Sequence, residues 1–495
     1  MRASEMIPAK ARPLKHADGW TLAVVLLGFL ALPMSMSGAG VAVPRIGAEL
    51  DTAGPAAQWV VTAYFLTASS FMLVAGSFGD ALGRRRIYRV GALAYVVGSL
   101  AAALAPAIGV LLAARVVTGL GAAGVMAGGG AILGATFSGP ARTRAFAAMG
   151  TISGLGLALG PSLSGLLIDG LGWRLGFGIF ILPGLVLVAG TWLMRETRLD
   201  TRPRIDIAGA ATFVTGLAAL MLAATQGPTH GWSAPEALVL LVAAAILFIV
   251  FVLIERRAVS PVLDLSMLRK RRFMGWLLAA ITMSVGFGGI LAFLPSYLQD
   301  PAGLTASSTG LVMILPTLPM MILPAVGSRL INHGVSPTLL ITAALLAIAT
   351  GNAWLTILHP TITPLGIAGP LVLLGAGVGL ASGIVDAQAM KEVSENQIGM
   401  AAGMLNTVRG TANALILAIF GASLTGLLAG RLGSAELAGQ VTTGNIPNTA
   451  NAPFLAAQLT ETWHIILATL AILGLASAIT TGILVRRQRR VRRSI

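Results

Sequence analysis

Three observations predict an all-α integral membrane protein of about fourteen transmembrane helices. The 495 residues are 56% hydrophobic and only 10% charged, with a mean hydropathy of +0.86, far from the balance of a water-soluble chain. Apolar runs of roughly twenty residues, the length a helix needs to cross a hydrocarbon core, recur along the chain. Lys and Arg gather on alternate connections between those runs. Ten-residue segments of alternating polarity are missing, which excludes a β-barrel and leaves helices to satisfy the backbone in lipid.

Taken in order, residues 1–19 carry Arg2, Lys10, Arg12 and Lys15 ahead of an apolar run that begins at Trp20. The pattern resembles a secretory signal with a small-residue region near 38–42, but the long basic leader and the many later spans favour an uncleaved first helix. The runs fall at 20–43, 59–78, 87–105, 110–137, 146–168 and 175–194. They continue, after a polar hinge at 195–206, at 207–225 and 237–254. After the basic linker 256–272 they resume at 273–298, 309–331, 338–358, 365–385, 400–428 and 463–485. The outward loop 429–461, rich in Gly, Thr, Asn, Ala and Pro, is expected to be partly disordered.

An even number of crossings puts both ends on one side. About 28 of the 33 Lys and Arg residues fall on that side; Arg45, Arg174 and Arg431 lie opposite, and Arg115 and Arg409 lie within spans. Both termini are therefore read as cytoplasmic. The net charge of +15 expresses membrane orientation, not nucleic-acid affinity, although the terminal RRQRRVRRSI also suits anionic lipid headgroups. Cysteine is absent, which excludes a disulfide framework and a thiolate centre. The five histidines are scattered with no metal-pair spacing, and GAGVGL at 375–380 lies inside an apolar run, so no dinucleotide loop is read there. No enzyme chemistry, metal or cofactor is expected.

Two stretches carry mechanical information. In SGLGLALGPSLSG, residues 153–165, Gly156 and Gly160 share one helix face and Pro161 adds a kink; small residues there permit a backbone-to-backbone helix contact, either static or a pivot. In GSFGDALGRRR, residues 76–86, Gly83 permits a tight turn. Asp80 stands at a helix end whose dipole does not favour it, so it needs a cation or a helix N-terminus as partner.

That second stretch resembles the loop signature of the major facilitator superfamily, Gly-x-x-x-Asp-x-x-Gly-Arg-Arg. Arg115, Gly119 and Gly121 in ARVVTGLG match its Arg-x-x-x-Gly-x-Gly pattern, and the 153–165 stretch resembles the signature of the antiporter branch. WVVTAYFL, GWRLGFGIF, YLQDPAGLT and GMLNTVRG are similar to the fourteen-span drug:proton antiporters. The resemblance covers residues 20–485. It implies a six-helix bundle at 20–195, a hinge and two additional central helices at 196–255, the linker 256–272, a second six-helix bundle at 273–485 and a basic tail at 486–495. It also implies that Asp80, with Arg84 beside it, meets the start of the thirteenth span near residues 399–400 and latches the cytoplasmic side. The pivot reading of Gly156, Gly160 and Pro161 then outweighs the static one, with the tenth span, broken by Pro316, Pro319 and Pro324, as the expected partner.

Arg115, a charge in mid-span, should face the interior or water. It is read either as a coupling or anion contact or as an arginine bonded to backbone carbonyls, and Arg409 divides in the same way. The family's acidic residue in the first span is replaced by Ser35, and the second bundle's copy of the loop, GSRLINHG, has Ile331 or Asn332 in place of its acid. Asp386 is then the best remaining proton site, unless it merely pairs with Lys391. An arginine-bearing cavity without a mid-span carboxylate suits neutral or anionic substrates. Its expected lining is Met34, Ser35, Gln58, Trp59, Thr62, Phe65, Phe287, Phe293, Tyr297, Met313 and Asn406, aromatic and thioether surfaces that hold bulky amphiphiles loosely. The expected function is a monomeric plasma-membrane exporter of bulky amphipathic drugs or natural products, with the proton as coupling ion. The alternatives are a uniporter or importer, and a non-transporting sensor or scaffold.

Overall fold

The computed structural model describes residues 16–50, 55–196, 206–231, 234–258, 261–299, 301–304, 306–394, 397–442 and 451–486. The helices are α1 (His16–Glu49), α2 (Pro55–Leu82), α3 (Arg84–Ala103), α4 (Ile108–Thr136), α5 (Gly139–Gly178), α6 (Ile181–Gly190), α7 (Ile207–His230), α8 (Pro235–Glu255), α9 (Leu265–Arg269), α10 (Arg271–Gln299), α11 (Ala306–Asn332), α12 (Pro337–Trp354), α13 (Pro364–Ala389), α14 (Ile398–Leu432), α15 (Ala435–Thr442) and α16 (Ala452–Arg486). Among the described residues, 12 segments are long and apolar enough to cross a membrane, and the chain is a multi-pass membrane protein.

Local chemistry sets several helix boundaries. Pro235, Pro337 and Pro364 open α8, α12 and α13, where a missing N–H costs nothing. Asp206 caps α7 by accepting from Gly209 N at 2.8 Å, and Thr363 caps α13 by accepting from Gly366 N at 3.2 Å. Gly433, at φ 69°, ends α14 in the left-handed conformation that favours glycine.

Helices α1–α6 pack together, as do α10–α14 and α16. Small residues set the closest approaches inside each group. A Cβ on Gly121 would strike the Tyr95 amide of α3, and one on Gly377 would lie 2.6 Å from Ala344 O of α12. The pair α7 and α8 leans on α2 and α14 through Leu73, Val74, Phe213, Leu217, Met221 and Phe251.

The stretch 429–461 is largely helical: α14 runs through it to Leu432, α15 follows with Ala438 and Val441 buried, and α16 starts at Ala452, eleven residues before the apolar run. Hydropathy misses these helices because Gly, Thr and Asn dilute it, although α15 buries one face. The linker 256–272 likewise contains α9. Finally, the break in α5 lies at Gly172 (φ 79°, ψ 163°), between the fifth and sixth apolar runs, and residue 161 stays helical. The tails 1–15 and 487–495, the hinge residues 197–205 and the loop residues 443–450 lie outside the described residues.

Candidate functional site at the bundle interface

The two groups of helices meet most closely at the end that carries the basic loops. There α2 ends at Leu82, Gly83 takes φ 112°, and α3 starts at Arg84. A Cβ on Gly83 would also lie 2.8 Å from Glu196 Oε1, so the turn needs glycine for space as well as for angle. Arg84 donates from Nε and a terminal nitrogen to Asp80 Oδ1 at 2.9 and 2.8 Å, with both side chains buried. The other oxygen, Oδ2, accepts from the Met400 amide at 3.1 Å. Met400 is the third residue of α14, so its N–H is one of the donors that a helix start leaves unpaired, at the positive end of the helix dipole. Asp80 thus has both kinds of partner that its chemistry demands, and the second crosses from one bundle to the other.

Further contacts anchor this corner. Glu196 Oε1 accepts from Arg85 N at 3.1 Å, and the Arg85 guanidinium donates to Met194 O at 2.8 Å. Asp264 N meets Met400 Sδ at 3.0 Å, and Gln397 donates to Asp264 Oδ2.

From the latch, the α2–α14 seam runs up through glycine. A Cβ on Gly403 would lie 2.7 Å from Met72 O, and one on Gly410 would collide with Ser69 Oγ. Asn406, predicted for the cavity, lies between them on the same helix face and is buried. The second seam joins α5 to α11 and α13. Gly383 meets the Ala147 backbone, where a Cβ would stand 2.5 Å from Cα; Gly150 meets Ser382; and Gly154 faces Met320 of α11. Gly403 and Gly410 are the two ends of GMLNTVRG and Gly154 lies in the 153–165 stretch, whereas Gly150 and Gly383 escape a reading by motif. The signal that would have found one of them is the four-residue spacing of Gly375, Gly379 and Gly383. The first two receive the carbonyls of Pro316 and Pro319 in α11, and the third receives α5.

Gly156 and Gly160 are placed otherwise than expected. A Cβ on Gly156 would strike Leu30 O, and one on Gly160 would strike Ser37 Oγ and lie 2.6 Å from Met34 O. Their partner is α1 of the same bundle, not the tenth span, α11. The adjacent helix face, through Gly150 and Gly154, is the one turned to the other bundle. A four-residue spacing gives a close contact but not the identity of the neighbour. The Pro161 side chain lies outside the described residues.

The charged residues separate into two environments. Asp386, 3% exposed, pairs with Arg409 at 2.8 Å, linking α13 to α14, and Lys391 is not its ion-pair partner. The other terminal nitrogen of Arg409, NH2, is buried without a hydrogen-bond partner among the described residues. Arg115, 1% exposed, lies inside the first bundle towards the end opposite the latch. Its Nε donates to Val60 O at 2.9 Å, and its guanidinium lies 4.5 Å from the Tyr64 ring centre and 5.3 Å from that of Phe177. That geometry matches an arginine bonded to a backbone carbonyl; among the described residues it has no ion pair.

The predicted lining is only partly gathered at the interface. Ser35 is buried beside a small cavity with Gly38, Ser164, Trp173 and Phe177, inside the first bundle. Phe293 stacks on Phe420 at 5.3 Å, while Tyr297 meets Trp463 edge-on and shares a 2.7 Å hydrogen bond with Thr460. This aromatic group packs α10, α14 and α16 together. Phe287 is buried, and Met34, Trp59, Thr62, Phe65 and Met313 are half-buried. The Gln58 side chain lies outside the described residues.

Comparisons with known proteins agree with this architecture. The human organic anion transporter MFSD10 (TETRAN) superposes with a TM-score of 0.63 over 94% of this chain and 100% of that one, at 15% identity, a likeness of fold. The multidrug resistance protein Stp of Mycobacterium tuberculosis is 31% identical over 417 residues, 83% of this chain and 77% of that protein. The puromycin resistance protein pur8 of Streptomyces alboniger is 32% identical over 422 residues, 83% of each, and a probable actinorhodin transporter of Streptomyces coelicolor is 29% identical over 442 residues, 84% of this chain and 74% of that protein. The Major Facilitator Superfamily model matches residues 25–417. With two helical bundles packed along glycine seams, the Asp80–Met400 bond between them and this match over most of its length, the chain belongs to the major facilitator superfamily.

Proposed function

We propose that the protein is a secondary active exporter of bulky, amphipathic organic compounds, of the drug or antibiotic class, working by alternating access and exchanging substrate for protons. Relatives named for resistance to drugs and to puromycin support the substrate class. In this reading there are fourteen crossings: the 12 apolar segments together with α3, whose arginine-rich first turn lowers its hydropathy, and the first part of α5. The pair α7 and α8 is the addition between the bundles, both termini are cytoplasmic, and a monomer in the plasma membrane is the working unit. Basic cytoplasmic loops engage anionic lipid headgroups. No cofactor is needed beyond the proton.

The observation that carries the reading is the Asp386–Arg409 pair. It is a buried carboxylate in a family member whose first span offers only Ser35. The ionised pair holds Arg409 with one N–H direction unspent, a donor for an acceptor group on a neutral substrate. Protonation of Asp386 discharges the carboxylate, loosens Arg409 and removes that oriented donor. Proton and substrate therefore exclude each other, the condition for exchange rather than co-transport. Release of the Asp80–Met400 contact opens the cytoplasmic side in one half of the cycle.

Inverted membrane vesicles holding a proton gradient test this with puromycin as the probe. Puromycin-dependent proton release that disappears in Asp386→Asn is the expected result. Downhill puromycin flux without proton movement would make the protein a uniporter, the reading that Ser35 favours. Neither flux nor proton movement across a drug panel would leave a sensor or scaffold.

A further inference from the structure

One cavity among the described residues lies away from the glycine seams between the bundles. It is a groove of about 560 Å³ on the back of α14, walled by α7 and α8 on one side and by α10 and α16 on the other. Its rim is open hydrocarbon, with Ile419 48% and Leu473 55% exposed. In a membrane-spanning body that exposure faces lipid, so no water fills the groove. The volume is that of a site for a drug-sized molecule.

Two polar atoms in this apolar wall have no hydrogen-bond partner among the described residues. Thr407 is 4% exposed and lines the groove, and its hydroxyl oxygen is buried without a hydrogen bond; the same holds for the Thr411 hydroxyl one turn further on. Many threonines in these helices spend the hydroxyl on the carbonyl four residues back, as Thr67, Thr118, Thr282 and Thr460 do at 2.6–2.8 Å; Thr309 and Thr481 share the unpaired state but do not line the groove. In a low-dielectric surround an unspent hydroxyl is costly, and a ligand acceptor is what would satisfy it.

We propose that this groove is a binding site for an uncharged, mostly hydrocarbon molecule that carries a carbonyl-type acceptor and enters from the bilayer, with Thr407 and Thr411 turning about χ1 to bring their unspent hydroxyls into the groove and donate to that acceptor. A phospholipid does not meet the description. Thr407 lies nine residues into α14, about 14 Å along the helix, close to the middle of a core about 30 Å thick. Lipid ester carbonyls stay at the headgroup level, so an acyl chain would bring only methylenes to the two hydroxyls. The site shares α14 with the interface, whose seam at Gly403 and Gly410 and whose ion pair at Arg409 occupy other faces of the same helix.

The test uses the whole protein in lipid nanodiscs, with 4-dodecylbenzophenone as the probe, a ketone that labels nearby C–H bonds when irradiated. Adducts are mapped by mass spectrometry. The expected result is labelling at the groove, with Met404 foremost, falling about fivefold in a Thr407→Val, Thr411→Val variant, the worth of an ordinary hydrogen bond. Ile419→Trp, which fills the groove from its exposed rim, should abolish the labelling and serves equally if the valine variant does not fold. A phospholipid with a mid-chain diazirine should label the valine variant as it labels the native protein. Ketone labelling that ignores the valines, or that misses the groove in the native protein, overturns the proposal. So does ketone labelling that the diazirine lipid suppresses in proportion to its dose. No gradient or transport enters the measurement, so the proposal stands or falls apart from the efflux reading.

Discussion

The loop between α2 and α3 and its counterpart between α11 and α12 share a glycine spacing, Gly76 to Gly83 and Gly327 to Gly334, and differ in charge: the second lacks both the acid and the arginines that follow Gly83. In the first, Asp80 is buried, neutralised by Arg84 and bonded to the start of α14 in the other bundle. In the second, Asn332 is exposed and the turn closes on itself, with His333 N bonded to Arg329 O at 2.9 Å and Val335 N to Leu330 O at 2.9 Å. One seam is thus closed by a carboxylate on a helix start, and the other by close packing of Gly150 and Gly383 on their neighbours. The difference teaches that pseudo-symmetry of fold does not bring symmetry of forces. Closure by a charge responds to the loss of a single atom group, whereas closure by glycine responds to added volume.

The comparison can be broken most forcefully at Asp80. In Asp80→Asn the buried Arg84 loses its counter-ion and the Met400 amide loses an ionised acceptor, so we expect destabilisation of about 3–5 kcal/mol, read as a lower melting temperature in detergent. Unchanged melting would remove the asymmetry. Gly383→Val should cost about 1–3 kcal/mol through overpacking on Ala147. It should also expose the basic end, measured by thiol labelling of cysteines placed along α5, against the cysteine-free background of the native chain. Asn332→Asp puts an acid in the second loop, next to Ile331, the position that the glycine spacing matches to Asp80, and, being exposed, should change stability by no more than about 0.5 kcal/mol. A larger stabilisation would mean that the acid alone distinguishes the two loops.

The smallest effect is expected at the opposite end, where Glu49 ties α1 to Arg174 and Trp173 of α5. Hydrogen bonds from Arg174 first, and Trp173 second, hold the Glu49 carboxyl below the ordinary glutamate range. A depressed acid stabilises the fold above its unfolded value, and that contribution is lost as pH falls through the folded one. The melting difference between native protein and Glu49→Gln should therefore be present at neutral pH and vanish in acid. A difference that grew in acid would reverse the assignment.

Much of the fold was legible because lipid leaves few options. Each apolar run became helix, and the charge pattern located the loops. The need of Asp80 for a cation or a helix start was legible from its place at a helix end, and the family resemblance supplied α14 as that helix. What failed was the naming of neighbours. Gly156 and Gly160 announce a close approach, but nothing in their spacing distinguishes α1 from α11. Arg115 announces burial, and whether Val60 O or a substrate receives it depends on how α2 lies against α4. Phe293 and Tyr297 resemble cavity aromatics in sequence, yet Phe420 and Trp463, more than a hundred residues away, claim them for packing. The unspent hydroxyls of Thr407 and Thr411 leave no trace in a motif, since most threonines in such helices are silent.

The corner at Gly83 and Met400 has a topological consequence. The chain leaves the first bundle at Glu196, held by Arg85, and enters the second past Asp264, held by Met400, and Asp80 joins the two. Exit and entrance share one doorway. The segment threaded between them carries α7 and α8, and α7 packs on both sides of that doorway, against α2 of one bundle and α14 of the other.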